Sequence, residues 1–175
     1  GVWADMAQIF WGSSFQVMAA WYIATETTSE LKKGGYVQGT VILALRKRQS
    51  SEDGYKDEIV QEVKFEGANQ IDTMSGLNQS LRGHGRIENL FEDADLQMAG
   101  YAAALRVLTR YSSIDGIDMT KEALRPRTKG DKSLVGDIIE FAVQVANEHM
   151  VPEGMVPQVW EKLSGSERFY FKMMD

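Results

Sequence analysis

Cysteine is absent from the 175 residues, which excludes disulfide scaffolds, thiolate zinc sites and cysteine nucleophiles. The two histidines, His84 and His149, stand isolated, too few for histidine-based metal chemistry. The three prolines are scattered and the 16 glycines follow no period, so collagen-like and low-complexity classes fall away. No apolar run approaches the ~18 residues that suggest a membrane span. No basic segment precedes an apolar stretch, so no signal peptide is expected. A soluble, cytoplasmic protein with no membrane partner is the reading. A basic excess is missing too. The net charge is −6 and uneven: residues 1–48 carry three acids against five bases, a net of +2. The other 22 acids and 14 bases leave residues 49–175 at −8. Contact with nucleic acid therefore has to come from a local patch rather than a basic domain.

Apolar residues make up 43% of the chain, enough for one sizeable core. In residues 1–11, Val2, Trp3, Met6, Ile9 and Phe10 have helical spacing, and Gly12 can end that helix. Phe15–Ala24 reads as a strand in which Phe15, Val17, Ala19, Trp21 and Ile23 alternate with a series that turns apolar from Met18. Thr40–Leu45 (TVILAL) is a second strand, apolar on both faces and so expected to be covered on both. The connection between them is polar and Gly-rich, and longer than a tight hairpin turn.

The rest is helical. Ile59, Val60 and Val63 form one face and Ile71, Met74, Leu77 and Leu81 another, with Gly76 a weak point. The segment Arg82–Arg86 reads as a turn. Asp93 or Asp95 can cap a helix running to about Tyr111, whose Ala102–Ala104 run lets another helix approach closely. Residues 121–132 read as a basic loop. Ser133 caps an amphipathic helix that turns Leu134, Val135, Ile138, Ile139, Ala142, Val143 and Ala146 inward. Short helices around Val159–Leu163 and Glu167–Met174 complete the reading. The fold class expected is α+β: two antiparallel strands followed by a mostly α-helical domain. The abrupt opening at Gly1 and the stop at Asp175 read as the ends of a piece cut from a longer gene product.

No phosphate-binding loop or serine nucleophile elbow is present; Gly83 and Gly85 flank His84, but no strand precedes them. The carboxylate groups Asp57/Glu58, Glu92/Asp93/Asp95 and Asp115/Asp118 read as helix caps or solvated faces, and Asp93–Asp95 lacks the rest of a calcium loop. No catalytic residue and no metal site are assigned. Two basic clusters can touch phosphates: Arg46, Lys47 and Arg48 after the second strand, and Arg125, Arg127, Lys129 and Lys132 in the loop. Trp21, Tyr22 and Tyr36 offer rings for base stacking, although a Trp inside an apolar strand reads first as core.

The run AWYIATETTSELKKGGYVQGTVILALRKR (Ala20–Arg48) resembles the end of the catalytic domain in large adenine-specific DNA methyltransferases that carry the domain of unknown function 1156. Some of these serve phage defence or restriction-modification. The matching residues are Trp21, Ile23, Thr25, Glu26, Thr40, Val41, Leu43, Arg46, Lys47 and Arg48. AGYAAALRVLTRYSSIDG (Ala99–Gly116), Arg125–Arg127 and ERFYFKM (Glu167–Met173) resemble the helical region that follows in that family. The resemblance implies that residues 1–48 are the last helix and two strands of the catalytic domain and 49–175 a helical C-terminal domain. It implies DNA as partner, and a loop Thr25–Gly39 near the target base, with Thr25, Glu26, Lys32, Lys33 and Tyr36 as candidate contacts. The family's S-adenosylmethionine turn and Asp-Pro-Pro-Tyr element are not in this sequence. The cofactor would then belong to the parent enzyme, the chain alone would be inert, and its uncovered strand edge would drive self-association. The alternative reading is a helical protein–protein interaction module.

Overall fold

The computed structural model describes residues 2–24, 39–49, 51–84, 91, 93–128, 130–131, 133–163, 167–168 and 170–171. Helix α1 (Val2–Gly12) leads into strands β1 (Phe15–Ala24) and β2 (Gly39–Lys47), followed by a two-residue strand β3 (Asp53–Gly54). Helices α2 (Lys56–Gly83) and α3 (Asp93–Leu108) come next, then the short strands β4 (Ser113–Ile114) and β5 (Ile117–Asp118). Helices α4 (Met119–Leu124), α5 (Leu134–His149) and α6 (Pro157–Lys162) complete the order. The chain is thus α+β, with an antiparallel pair β1–β2 and a small mixed sheet β3–β4–β5.

One apolar cluster joins α1 (Ala4, Ala7, Trp11), Val17 of β1, Ile59 and Val63 of α2, the C-terminal half of α3 and the inner face of α5 (Val135, Ile138, Ile139, Ala142). A second holds Ile71 and Met74 of α2, Phe91 just before α3, Leu96 and Ala99 of α3, and Ala146 and Met150 at the end of α5. The Ala-rich face of α3 allows the close approach that its composition suggests. A Cβ on Gly100 would stand 3.3 Å from the Ala146 methyl and 3.4 Å from Ile71. Ser133 caps α5 as its position before the apolar periodicity implies: its Oγ accepts from Gly136 N at 2.8 Å. Asp118 does the same for α4 through Lys121 N at 3.0 Å.

Several local expectations are corrected. The two faces expected between residues 59 and 81 belong to one helix of 28 residues. Gly76 does not break it: the helix continues through it to Gly83. Leu77 is exposed, whereas Ile71 and Met74 are buried. The helix also runs through Arg82 and Gly83, so the turn starts at His84. Residues 121–124, read as loop, belong to α4. Leu134 and Val143 are only half-buried. Asp95 is no exposed cap: it lies inside α3 with 0% exposure. A hairpin went unread at Asp115–Gly116, where φ values of 50° and 77° give the twist of a two-residue Asp-Gly turn between β4 and β5.

The largest correction concerns the hairpin. In β1–β2, Trp21 pairs with Ile42 and Ile23 with Thr40. Val17, Tyr22 and Leu43 reach the two apolar clusters, and α3 lies beneath them. Among the described residues nothing closes over the opposite face: Trp21 is 53% exposed, Ile23 45% and Ile42 44%. None of the nine residues of β2 is fully buried, and Trp21 is not core. Among the described residues β2 has no strand partner on its second edge.

Candidate functional site

The hairpin has two differently built ends. At the open end, β1 and β2 lead into residues 25–38, so Thr25, Glu26, Lys32, Lys33 and Tyr36 lie outside the described residues. The stems of that segment are fixed from below. The Tyr22 hydroxyl donates to the buried Asp95 carboxylate, and the Tyr22 ring meets Phe91 edge to face at 5.3 Å. Phe91 is in turn held by Asn78 of α2, whose amide accepts from Phe91 N at 2.9 Å and donates to Phe91 O at 2.8 Å. Gly39 is required here, because a Cβ would fall 2.4 Å from both the Tyr22 hydroxyl and the Ile23 carbonyl oxygen. Burial and the Asp95 carboxylate push the Tyr22 phenol well above its ordinary pKa.

The basic cluster Arg46, Lys47 and Arg48 lies at the other end, about 26 Å from Gly39 at ~3.3 Å per residue. Its three members do different work. Arg46 points into solvent. Lys47 Nζ donates to Ser13 O at 3.1 Å, at the C-terminal end of α1, and stands 5.4 Å from the Phe15 ring centre. Arg48 is turned inward: Nη2 donates to Thr109 O at 2.8 Å and to Phe15 O at 3.3 Å. Desolvation lowers the Arg48 pKa, opposed by the charge of Asp118. Beside it, Val17 N–H donates to Thr109 Oγ1 at 2.9 Å. Arg48 and Thr109 thus bolt the closed end of the hairpin to the end of α3.

The second basic cluster borders the same helix α1. Leu124, next to Arg125, lies against Gly12, and with the Gln8 amide turned to satisfy both groups its oxygen accepts from Arg127 Nη1 at 2.6 Å. Arg125 is compensated by Glu122 at 3.1 Å and Asp131 at 3.2 Å. The hydrogen bond to Glu122 raises the Arg125 pKa, and the Thr128 N–H followed by Arg125 lowers that of Asp131. Lys129 and Lys132 lie outside the described residues. The fold therefore brings Lys47, Arg125 and Arg127 around one helix although 78 positions separate Lys47 from Arg125.

A concavity unforeseen in the sequence lies between β1, α2 and α3, with a volume of about 440 Å³. Its lining includes Met18, Phe65 and two ion pairs, Arg106–Glu66 at 2.7 Å and Arg110–Glu62 at 2.6 Å. Two signals pointed to it: an aromatic at 65 between Lys64 and Glu66, and the slip in β1 alternation at Met18. Among the described residues no group of three or more His, Cys, Asp or Glu is placed to hold a metal ion. Among them, too, no helix is long and apolar enough to cross a membrane. No family model, curated protein or solved structure matches the chain.

Proposed function

We propose that the chain is the C-terminal part of an S-adenosylmethionine-dependent DNA adenine-N6 methyltransferase acting in the cytoplasm. In this reading the β1–β2 hairpin completes the catalytic sheet and carries segment 25–38 toward the target base. The observation that supports it is the form of the hairpin. The run Ala20–Arg48 supplies two antiparallel strands behind a helix, with one face on α3 and, among the described residues, an apolar face and a strand edge left open. A strand of such composition suits the interior of a sheet covered on both sides. Of the first basic cluster, Arg46 is the member turned to solvent and able to meet phosphates, while Lys47 bonds Ser13 O and Arg48 serves the fold. The cofactor is assigned to the parent enzyme, so this chain alone transfers no methyl group.

Two measurements test the reading. Calorimetric titration of the chain with S-adenosylmethionine is expected to show no micromolar binding; a micromolar dissociation constant overturns the proposal. The polypeptide encoded by the longer reading frame is expected to methylate adenine in DNA, and Trp21→Asp on the open face to lower that rate at least about tenfold, the factor of ~1.4 kcal/mol. The interaction-module reading is favoured by one fact: Arg106, Arg110 and Arg125 are each compensated by carboxylates within the chain. Salt-dependent DNA binding separates the two readings, because phosphate contacts release counterions.

A further inference from the structure

The cleft between β1, α2 and α3 plays no part in the methyltransferase reading, and its walls are built unlike ordinary surface. Its floor is apolar: Val17 and Val107 are 0% and 3% exposed. Its lips are two large apolar side chains left in solvent, Phe65 of α2 at 65% exposure and Met18 of β1 at 40%. Met18 stands there because the ladder slips between Val17 and Ala19, leaving it without a partner on β2. A bulge of this kind re-aims a side chain. Phe65 stands in the open on an otherwise polar stretch of helix.

The rim sets the charge of what can enter. Glu62 and Glu66 are one turn apart on α2, Arg106 lies in the last turn of α3 and Arg110 two residues beyond its end, and each carboxylate is matched by a guanidinium. The Tyr111 hydroxyl adds a 2.7 Å bond to Glu62. An incoming phosphate meets two carboxylates, and an incoming ammonium meets two guanidiniums, so the rim selects a neutral ligand. Gln16 and Gln61 also line the cleft and supply amides, each with a donor and an acceptor. Such a pair suits the N6/N7 edge of a purine, and an aromatic ring and a thioether are good faces for a flat ring. The volume of about 440 Å³ lies within the ~300–1,000 Å³ of small-molecule sites.

We propose that this cleft binds a neutral, planar heteroaromatic group of the purine type, held between Phe65 and Met18. The group is either a free nucleoside or a base turned out of a nucleic-acid strand. The proposal is independent of the methyltransferase reading.

The test uses the full 175-residue chain with labelled methionine methyl groups, titrated with adenosine to millimolar concentration. The Met18 methyl resonance is expected to shift in a saturable manner. Phe65→Ala is expected to weaken binding about tenfold, the scale of base–aromatic stacking. Gln61→Ala is a second exposed variant, expected to weaken binding about threefold if its amide reads the ring edge. Adenosine monophosphate is expected to bind more weakly than adenosine. A saturable response to adenosine supports a free nucleoside; a response only to single-stranded oligodeoxyadenylate supports a base presented by nucleic acid. No response to either probe overturns the proposal. So do unchanged affinity in both variants, and a monophosphate affinity equal to or above that of adenosine.

Discussion

Helix α3 buries ten of its sixteen residues, while strand β2 buries none of its nine. The composition of β2 is the more hydrophobic: Val41, Ile42, Leu43 and Leu45 against the alanines and glycine that dominate α3. Neighbours rather than hydropathy decide the outcome. Helix α3 touches α1, α2, α5, β1 and β2, and its small side chains let α2 and α5 close on it. Strand β2 has β1 along one edge and α3 under one face. Stability is thus concentrated in α3, and the hairpin can present apolar surface without endangering the fold.

The strongest test of that contrast is truncation in α3. Leu108→Ala removes a side chain with 0% exposure and should cost ~2–5 kcal/mol in chemical denaturation, from lost transfer energy plus a cavity. A loss under ~1 kcal/mol would mean that α3 is not the centre of the core. Next comes the bolt between the regions. Thr109→Val takes away the acceptor of the buried Val17 N–H and should cost ~1–3 kcal/mol, the penalty of an unsatisfied buried donor.

A third test is alkaline titration. Burial raises the pKa of Tyr22, Tyr101 and Tyr111 above the ordinary phenol value. Their contribution to stability is complete below the unfolded value of ~10 and is lost as pH rises through the folded values. Absorbance at the tyrosinate band should show three late phenols, and Tyr22→Phe should reduce the loss of stability above that pH. Titration of all six tyrosines in one ordinary step would contradict this.

On the open face of the β1–β2 hairpin the thermodynamic effect should be small and the associative effect large. Ile42→Ser with Trp21→Ser should change stability by about 1 kcal/mol or less, since both side chains are half exposed. The same pair should abolish the self-association that the open face and edge drive in the isolated chain. Sedimentation equilibrium decides it: a 19.6 kDa monomer before mutation would show that the face needs no partner. The smallest effect expected is on DNA. Arg46→Glu with Lys47→Glu should lower the salt slope of weak binding by about 2, and Arg125→Glu should hardly change it.

Helix α1, the hairpin and α5 were legible because each carries a clean periodicity or a cap, as Ser133 shows. Helix α2 was legible only in pieces: its apolar rows are interrupted around Lys64–Gln70, where tertiary contact with α3 rather than local pattern sustains it. Asp95 misled because an acid in a first turn usually caps, and its partner Tyr22 lies 73 positions away. Of the candidate site, the basic residues were visible as types, but not that Arg48 turns inward and Arg125 is compensated. The cleft was invisible as a unit, since its lips come from β1 and α2 and its charges from α2, α3 and the turn after α3.

The bonds from Trp11 Nε1 to Tyr111 O and from Val17 N to Thr109 Oγ1 span 100 and 92 positions. Closing such loops adds little to the equilibrium cost, because it grows only with the logarithm of length. On the ribosome the consequence is one of time. At ~5–20 residues per second, α1 and β1 emerge ~5–20 s before the residues that receive them. For that interval the hairpin shows both faces, including the one that α3 later covers. The nascent chain is therefore expected to be a client of cotranslational chaperones until residue 111 has emerged, and to need them less after that.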